Sequence, residues 1–325
     1  MPSDAQWMAA TARLAARARP LSRPNPGVAA LIVKDNTVIA RGWTQPEGRP
    51  HAEAHALAYL PQGGAKGADI YVTLEPCAHL SERGPACADL LVQAEPARVI
   101  IGQPDPDPRT AGKGVARLEA AGIKTCLLDD ARAARSLSGY LARAHHNRPY
   151  VTLKLAISLD GCIALADGQS QWITGATARA HCHAMRAKQD AILVGGGTWR
   201  SDQPRLDVRL PGLAERSPRR VVLTRGAEPA NAAAIADPQA IADLDGVAWL
   251  YVEGGAQTAA AFLAADLVDE LHLYRAPIVI GDGLRAIGPL GLQTLSAAHD
   301  RWHLAGQRQL GSDQFSAYLR TRLST

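Results

Sequence analysis

No stretch among the 325 residues is apolar for long enough to cross a bilayer, which takes about 20 consecutive apolar residues in a helix. Lysine and arginine never gather into a run. They are scattered and leave a net charge of only +4, so the basic stripe of a nucleic-acid-binding surface is missing. The opening residues Met1-Pro2-Ser3-Asp4-Ala5-Gln6-Trp7 lack a charged segment followed by an apolar one, and a secretory leader is not expected. Cysteines number five, an odd count without the spacing of a disulfide framework, which suits thiols kept reduced in a cytoplasm. What remains is the composition of an ordered globular protein, 47% hydrophobic and 20% charged. The chain is long enough for two domains, each with a sizeable core.

Against that ordinary background stands His51-Ala52-Glu53-Ala54-His55, answered by Pro76-Cys77 and then Cys87. An imidazole and two thiolates supply three ligands for a tetrahedral zinc and leave the fourth position to water. Water bound there loses a proton near neutral pH. Glu53, two residues beyond His51, is placed to carry protons without being a ligand. His51 and His55, four apart, could share one helix face and bind metal together. The metalloprotease pattern, however, needs Glu directly after the first His, and Ala52 stands there. His55 is therefore expected to pack beside the site. Either cysteine alone would read as a buried apolar thiol. The ordered set H-x-E…P-C…C, the order found in zinc deaminases, favours metal. The common form closes with Cys-x-x-Cys, whereas here the longer insert Ala78–Ala86 separates the two thiols. Cys126, Cys162 and Cys182 have no partner in the pattern and are expected to be packing residues.

Along the first half, the apolar spacing predicts an amphipathic helix over 4–19, ended by Pro20. Strands are predicted at 28–33 and 38–43, and a helix from His51 to about Leu60, with Glu53 at its N-terminus. A strand over 69–74 leads into Glu75-Pro76-Cys77, read as the start of a turn and helix. A strand over 99–102 ends in the stiff run Gln103–Pro108. A helix over 112–121, a strand over 123–127 and one long arginine-rich helix to about Ala144 complete an alternating α/β domain. The break at His145–Pro149 puts the domains at 1–146 and 147–325. In the second half a strand over 150–157 and a turn at Ser158–Gly161 precede a helix over 178–187. A strand over 191–194 runs into the turn Gly195-Gly196-Gly197-Thr198. A second strand, 247–252, meets Glu253-Gly254-Gly255 and then a helix over 256–265. Strand, glycine pair and helix N-terminus make an anion site on physical grounds. It is not a G-x-G-x-x-G turn. Strands at 269–274, 276–280, 303–305 and 316–319 would complete one mixed sheet.

These motifs together resemble the bifunctional deaminase/reductase family of bacterial riboflavin biosynthesis. In the first half the likeness is carried by Pro24-Asn25-Pro26, His51-Ala52-Glu53, Thr73–His79, Pro85-Ala86-Cys87 and Asp105-Pro106-Asp107-Pro108. In the second half it runs through Lys154–Gly161, Ser170–Gly175, Met185-Arg186-Ala187, Gly197–Arg209 and Val252–Gly255. The resemblance implies a cytidine-deaminase-like three-layer α/β/α domain followed by a dihydrofolate-reductase-like α/β domain. It implies zinc on His51, Cys77 and Cys87, with Glu53 catalytic, and Asn25, His79, Arg83, Asp105 and Asp107 lining the deaminase substrate pocket. It implies NADPH contacts at Ala156, Trp172, Thr198, Asp202 and Gly255, and substrate contacts at Ser170, Arg186, Leu206, Arg209 and Glu253. The implied partners are small pyrimidine ribose-phosphate substrates and a second copy of the chain in a dimer, with neither nucleic acid nor membrane. Three departures stand out. Thr44 occupies a usual His position, the Cys77–Cys87 loop is one residue longer, and Asp207 replaces a small hydroxyl residue. Two alternatives stay open on sequence alone: a nucleoside or tRNA deaminase fused to an unrelated domain, and a second half that binds nucleotide only to regulate.

Overall fold

The computed structural model describes residues 1–79 and 82–322, so Leu80 and Ser81 of the insert between the two cysteines lie outside the described residues. The chain divides into two compact units, Met1–Asn147 and Arg148–Thr325.

In the first unit, α1 (Asp4–Ala15) opens on a capping box in which the Ser3 hydroxyl accepts from the Gln6 amide and the Gln6 side chain accepts from the Ser3 amide. Strands β1 (Ala29–Lys34) and β2 (Thr37–Trp43) form a hairpin across Asp35 and Asn36, both with left-handed backbone. There follow α2 (Ala52–Leu57), β3 (Asp69–Val72), α3 (Cys87–Ala94), β4 (Arg98–Ile101), α4 (Lys113–Ala120), β5 (Lys124–Leu127), α5 (Ala131–Ser136) and α6 (Ser138–His146). The sheet runs β2-β1-β3-β4-β5, with β3, β4 and β5 parallel and β1 antiparallel to both its neighbours. Ile32, Ile70, Val72, Val99 and Ile101 face Ala56 of α2, Leu91 of α3 and Leu118 of α4. Leu31, Val33, Tyr71 and Ile100 face Met8 of α1 and Ala133 of α5. The two-residue alternation of the strands thus produces a three-layer α/β/α sandwich.

The pattern misled in three places here. The first helix stops at Ala15, and the chain turns before Pro20. No helix begins at Cys77: residues 73–79 and 82–86 are irregular, the Glu75 amide donates to the Gln103 carbonyl, and α3 starts at Cys87. The arginine-rich helix is two helices broken at Leu137, where the Ser138 hydroxyl bonds the Ala134 and Arg135 carbonyls and competes with the helical ladder.

The second unit contains β6 (Tyr150–Ile157), β7 (Cys162–Leu165), α7 (Ala176–Arg186), β8 (Ala191–Gly195), α8 (Gly196–Asp202), β9 (Arg219–Leu223), β10 (Ala233–Ile235) and β11 (Trp249–Val252). It continues with α9 (Ala256–Ala264), β12 (Glu270–Arg275), β13 (Gly283–Arg285), β14 (Trp302–Leu310) and β15 (Asp313–Arg320). Eight strands make a mixed sheet in the order β10-β9-β8-β11-β6-β12-β15-β14, antiparallel only around β15, and β7 pairs separately with β13. One face, with Val151, Leu153, Leu155, Leu193 and Val252, packs on Ala259 and Phe262 of α9. The other, with Ile192, Tyr251, Tyr274 and Phe315, packs on Ala178 and Cys182 of α7. Residues 276–280 form no strand, since Pro277 lacks an amide and Asp160 takes the amides of Ile280 and Gly281. The Gly195–Thr198 segment, expected as a simple turn, is the start of α8. Among the described residues no helix is long and apolar enough to cross a membrane.

Candidate active sites

His51 stands at the N-cap of α2 in extended conformation, so its ring leaves the helix end, while Glu53 lies in the first turn with only 3% of its surface exposed. Cys87 opens α3, and its amide donates to Cys77 Sγ at 3.3 Å. His51 Nδ1 lies 3.5 Å from Cys77 Sγ and 3.3 Å from Cys87 Sγ. A tetrahedral zinc bonded at about 2.0 Å to nitrogen and 2.3 Å to sulfur separates those atoms by roughly 3.5 Å, so the three side chains fit that ion. His51 Nε2 sits 3.0 Å from the Asn25 side-chain nitrogen, and that nitrogen donates to the Gly48 carbonyl at 3.1 Å. His55 is engaged elsewhere, by the Trp43 amide, the Gln45 side chain and the Tyr59 hydroxyl.

The electrostatics suit metal and proton transfer. A hydrogen bond from Cys87 and the neighbouring His51 outweigh burial and pull the Cys77 thiol down to about 4. The same bond to Cys77, together with burial, pushes Cys87 up. Left to themselves the two thiols share one proton, which a divalent cation would displace. Burial raises the Glu53 carboxyl, chiefly by removing water from the charged form. A carboxyl tuned upward takes and returns a proton more evenly near neutral pH.

Asp105 is buried, accepts from the Tyr140 hydroxyl at 2.6 Å and from the Asp107 amide at 3.0 Å, and is pushed up by burial. Asp107 is held low by hydrogen bonds from Arg109. His79 Nδ1 lies 3.4 Å from the Thr110 hydroxyl. Arg83 donates to the Glu47 carbonyl at 2.7 Å while Arg49 donates to that of Pro85 at 3.3 Å, so the 45–50 and 82–86 loops strap each other. Thr44, in the usual His position, is buried and accepts from the Val28 amide at 3.0 Å, a structural contact.

In the second unit Glu253 follows β11 and is held by Arg186 of α7 in a two-pronged pair, Nε to Oε1 at 2.6 Å and Nη2 to Oε2 at 2.9 Å. Arg186 Nη1 also reaches the Asp207 carbonyl at 3.0 Å. Lys154 of β6 lies 3.6 Å from the same carboxylate, and the Cys182 thiol points at it from 3.7 Å. Burial opposes ionisation of Glu253, but Lys154 and Arg186 overcome it and bring the carboxyl down to about 2. Burial likewise works to depress the Lys154 amine, yet Cys182 and Glu253 outweigh it and hold the amine above its ordinary value. Leu206, buried and with a left-handed φ of 52°, and Arg209, packed on His183 and 3.6 Å from Asp207, adjoin this cluster. Lys154 and Cys182 were not anticipated as site residues. A lysine between Leu153 and Leu155 in a buried strand was the available signal for Lys154, since such a charge needs a partner.

The structure brings Thr198 and Gly255 together: a Cβ at Gly255 would lie 3.6 Å from Thr198 Oγ1. Gly195 and Gly254 both close on Thr258 of α9, where added Cβ atoms would lie at 2.3 and 2.4 Å, so these turns need glycine. Gly255 caps α9 without a side-chain bond, leaving the first amides of that helix for an anion such as a pyrophosphate. The donor set therefore fits a dinucleotide. Trp172, 62% exposed, lies on the Arg179 guanidinium, and Asp202 accepts from Ser201. Ala156 is half-buried on the α7 side of the sheet, and Ser170 is half-buried in the loop before α7.

Comparison with known proteins agrees with both halves. Residues 1–103 match the cytidine and deoxycytidylate deaminase zinc-binding region, and residues 149–315 match the RibD C-terminal domain. The riboflavin biosynthesis protein RibD of Escherichia coli K12 is 37% identical, over 91% of this chain and 94% of that protein. The solved structure of Acinetobacter baumannii RibD (form 1) superposes with a TM-score of 0.84 at 34% identity, covering 98% of this chain and 99% of that one. A Thermotoga maritima diaminohydroxyphosphoribosylaminopyrimidine deaminase/5-amino-6-(5-phosphoribosylamino)uracil reductase also superposes with a TM-score of 0.84, at 27% identity over 98% of this chain and 99% of that one.

Proposed function

The chain belongs to the RibD family of riboflavin biosynthesis proteins, and from that membership we propose how its two sites divide two consecutive reactions. The unit Met1–Asn147 deaminates 2,5-diamino-6-ribosylamino-4(3H)-pyrimidinone 5′-phosphate, and the unit Arg148–Thr325 reduces the ribosyl group of the product to a ribityl chain. The observation that carries the first assignment is the His51, Cys77 and Cys87 cluster with buried Glu53 beside it. Zinc held by those three ligands supplies the Lewis acidity that makes water nucleophilic near neutral pH. Glu53 takes the proton of the attacking water and delivers it to the amino group that departs as ammonia. Asn25 orients His51, and Asp105 and Asp107, with His79 and Arg83, form the substrate wall.

For the second reaction, NADPH supplies the hydride received by the ribosyl C1′. Thr198 and the α9 N-terminus at Gly255 hold its pyrophosphate, with Ala156, Trp172 and Asp202 as further contacts. Arg186 and Arg209 hold the substrate, with Ser170 and Leu206 beside them, and Glu253 fixes Arg186. Lys154, charged and next to Glu253, is the proton source for the opening ribose oxygen. This reading places the enzyme in the cytoplasm as a homo-oligomer, a dimer, acting on small pyrimidine ribose-phosphates. The five unpaired thiols suit a reducing compartment. Two variants test the division. Cys87→Ala should lose zinc and ammonia release while still oxidising NADPH with deaminated substrate. Glu253→Ala should do the reverse. Loss of both activities in either variant, with the fold intact, would contradict the separate sites.

A further inference from the structure

Glu75 is neither a metal ligand nor one of the substrate-wall residues, yet it is buried, with 4% of its surface exposed, and commits both carboxylate oxygens to backbone amides. Oε2 accepts from Asp105 at 3.3 Å and Gly112 at 3.1 Å, and Oε1 accepts from Gly114 at 3.0 Å and Val115 at 3.2 Å. Asp105 and Gly112 belong to the segment between β4 and α4, and Gly114 and Val115 to the first turn of α4. The N-cap of α4 is Gly112, which has no side chain to offer, so Glu75 provides the cap from the irregular segment after β3. The same contact is backbone-tight, because a Cβ at Gly114 would lie 2.1 Å from the Pro76 carbonyl oxygen. Pro76 precedes Cys77, and Asp105 sits at the other end of the joint with its carboxylate fixed by Tyr140. The pairing of His79 with Thr110 is a second tie between the same two segments.

We propose that Glu75 is a positioning residue of the deaminase site. It sets the spacing between the Cys77 segment, which carries a metal ligand, and the Asp105–Asp107 wall. The inference rests on the deaminase reading of this unit. An ionised carboxylate accepts on both oxygens, whereas glutamine accepts on one and confronts the other pair of amides with an NH2 group. Glu75→Gln therefore keeps the volume but undoes about half of the joint. The Asp105 end should loosen, and substrate binding should weaken while the metal and the chemical step remain.

The test uses the full-length zinc-loaded chain. Glu75→Gln should retain one zinc per chain and show faster amide hydrogen exchange across 105–115. Its deaminase KM should rise by about tenfold or more, with kcat within about threefold of the parent, and the reductase step should be unchanged. Gly114→Ala attacks the joint from the other side, its Cβ falling 2.1 Å from the Pro76 carbonyl oxygen and 3.1 Å from Glu75 Oε1, and should give the same KM-weighted defect, so either variant suffices. Zinc lost in proportion to activity, or kcat reduced at constant KM, would overturn the positioning role. If the parent releases no ammonia, the deaminase reading fails and takes this inference with it. If the parent is active and both variants keep its KM, the inference alone fails.

Discussion

Replacing Glu53 by glutamine isolates the proton-transfer step from everything else the first site does. The side chain is almost fully buried at the first turn of α2, so glutamine of nearly equal volume fills the same space. Burial already disfavours the charged carboxylate, which means that an uncharged amide there does not weaken the fold. His51, Cys77 and Cys87 are untouched, and zinc should stay at one per chain. A positioned general acid–base is worth about 10²–10⁴ in rate. At about 1.36 kcal/mol per factor of ten, that is roughly 2.7–5.4 kcal/mol of barrier. Ammonia release measured at saturating substrate should fall by at least about 100-fold. NADPH oxidation with pre-deaminated substrate should match the parent. A Glu53→Gln protein that releases ammonia at the parent rate would show that another base serves the site. Zinc lost together with activity would show that Glu53 holds the ligand set together and would refute the separation of roles.

Gly255→Val should raise the NADPH dissociation constant by about tenfold or more in a fluorescence titration, because its methyls fill the space in front of the α9 amides. Gly255→Ala should stay near the parent value, since the added Cβ meets Thr198 only at 3.6 Å. Gly254→Ala should instead destabilise the second unit by about 1–3 kcal/mol in denaturant unfolding, because its Cβ would crowd Thr258 at 2.4 Å. Glu253 has a carboxyl brought below its ordinary 4.5 to about 2, so its stabilisation is complete above the higher value and is lost as pH falls toward the lower one. Unfolding of the second unit followed from pH 5 to pH 2 should therefore be steeper for the parent than for Glu253→Gln, and equal slopes would contradict the buried pair.

The ligand cluster was legible because its chemistry demands particular residue types in a set order, and β1, β3 and β4 because they are short apolar runs, as strands packed on both faces must be. The long helix to Ala144 was misjudged because the Ser138 bond to the preceding carbonyls is local chemistry that apolar period does not show. The short β9 and β10 escaped notice because Arg219, Arg220 and Asn231 blur their apolar pattern, and their pairing is visible only once β8 lies beside β9. Lys154, Cys182 and Glu253 converge from β6, α7 and the end of β11, elements far apart in sequence. Only the parallel register of β6 and β11 brings Lys154 and Glu253 to one end of the sheet. Glu75 was hidden for a related reason, since its partners are backbone amides and carry no residue-type signal.

The central claim is that one chain performs deamination and then reduction, and a single time course on the purified zinc-loaded protein tests it. With the diaminopyrimidine ribose-phosphate substrate alone, the account predicts one ammonia per substrate and no further change. With NADPH present, it predicts one NADPH oxidised per ammonia released, with oxidation lagging behind ammonia. NADPH oxidised without ammonia release, or ammonia released with NADPH left intact, would contradict it.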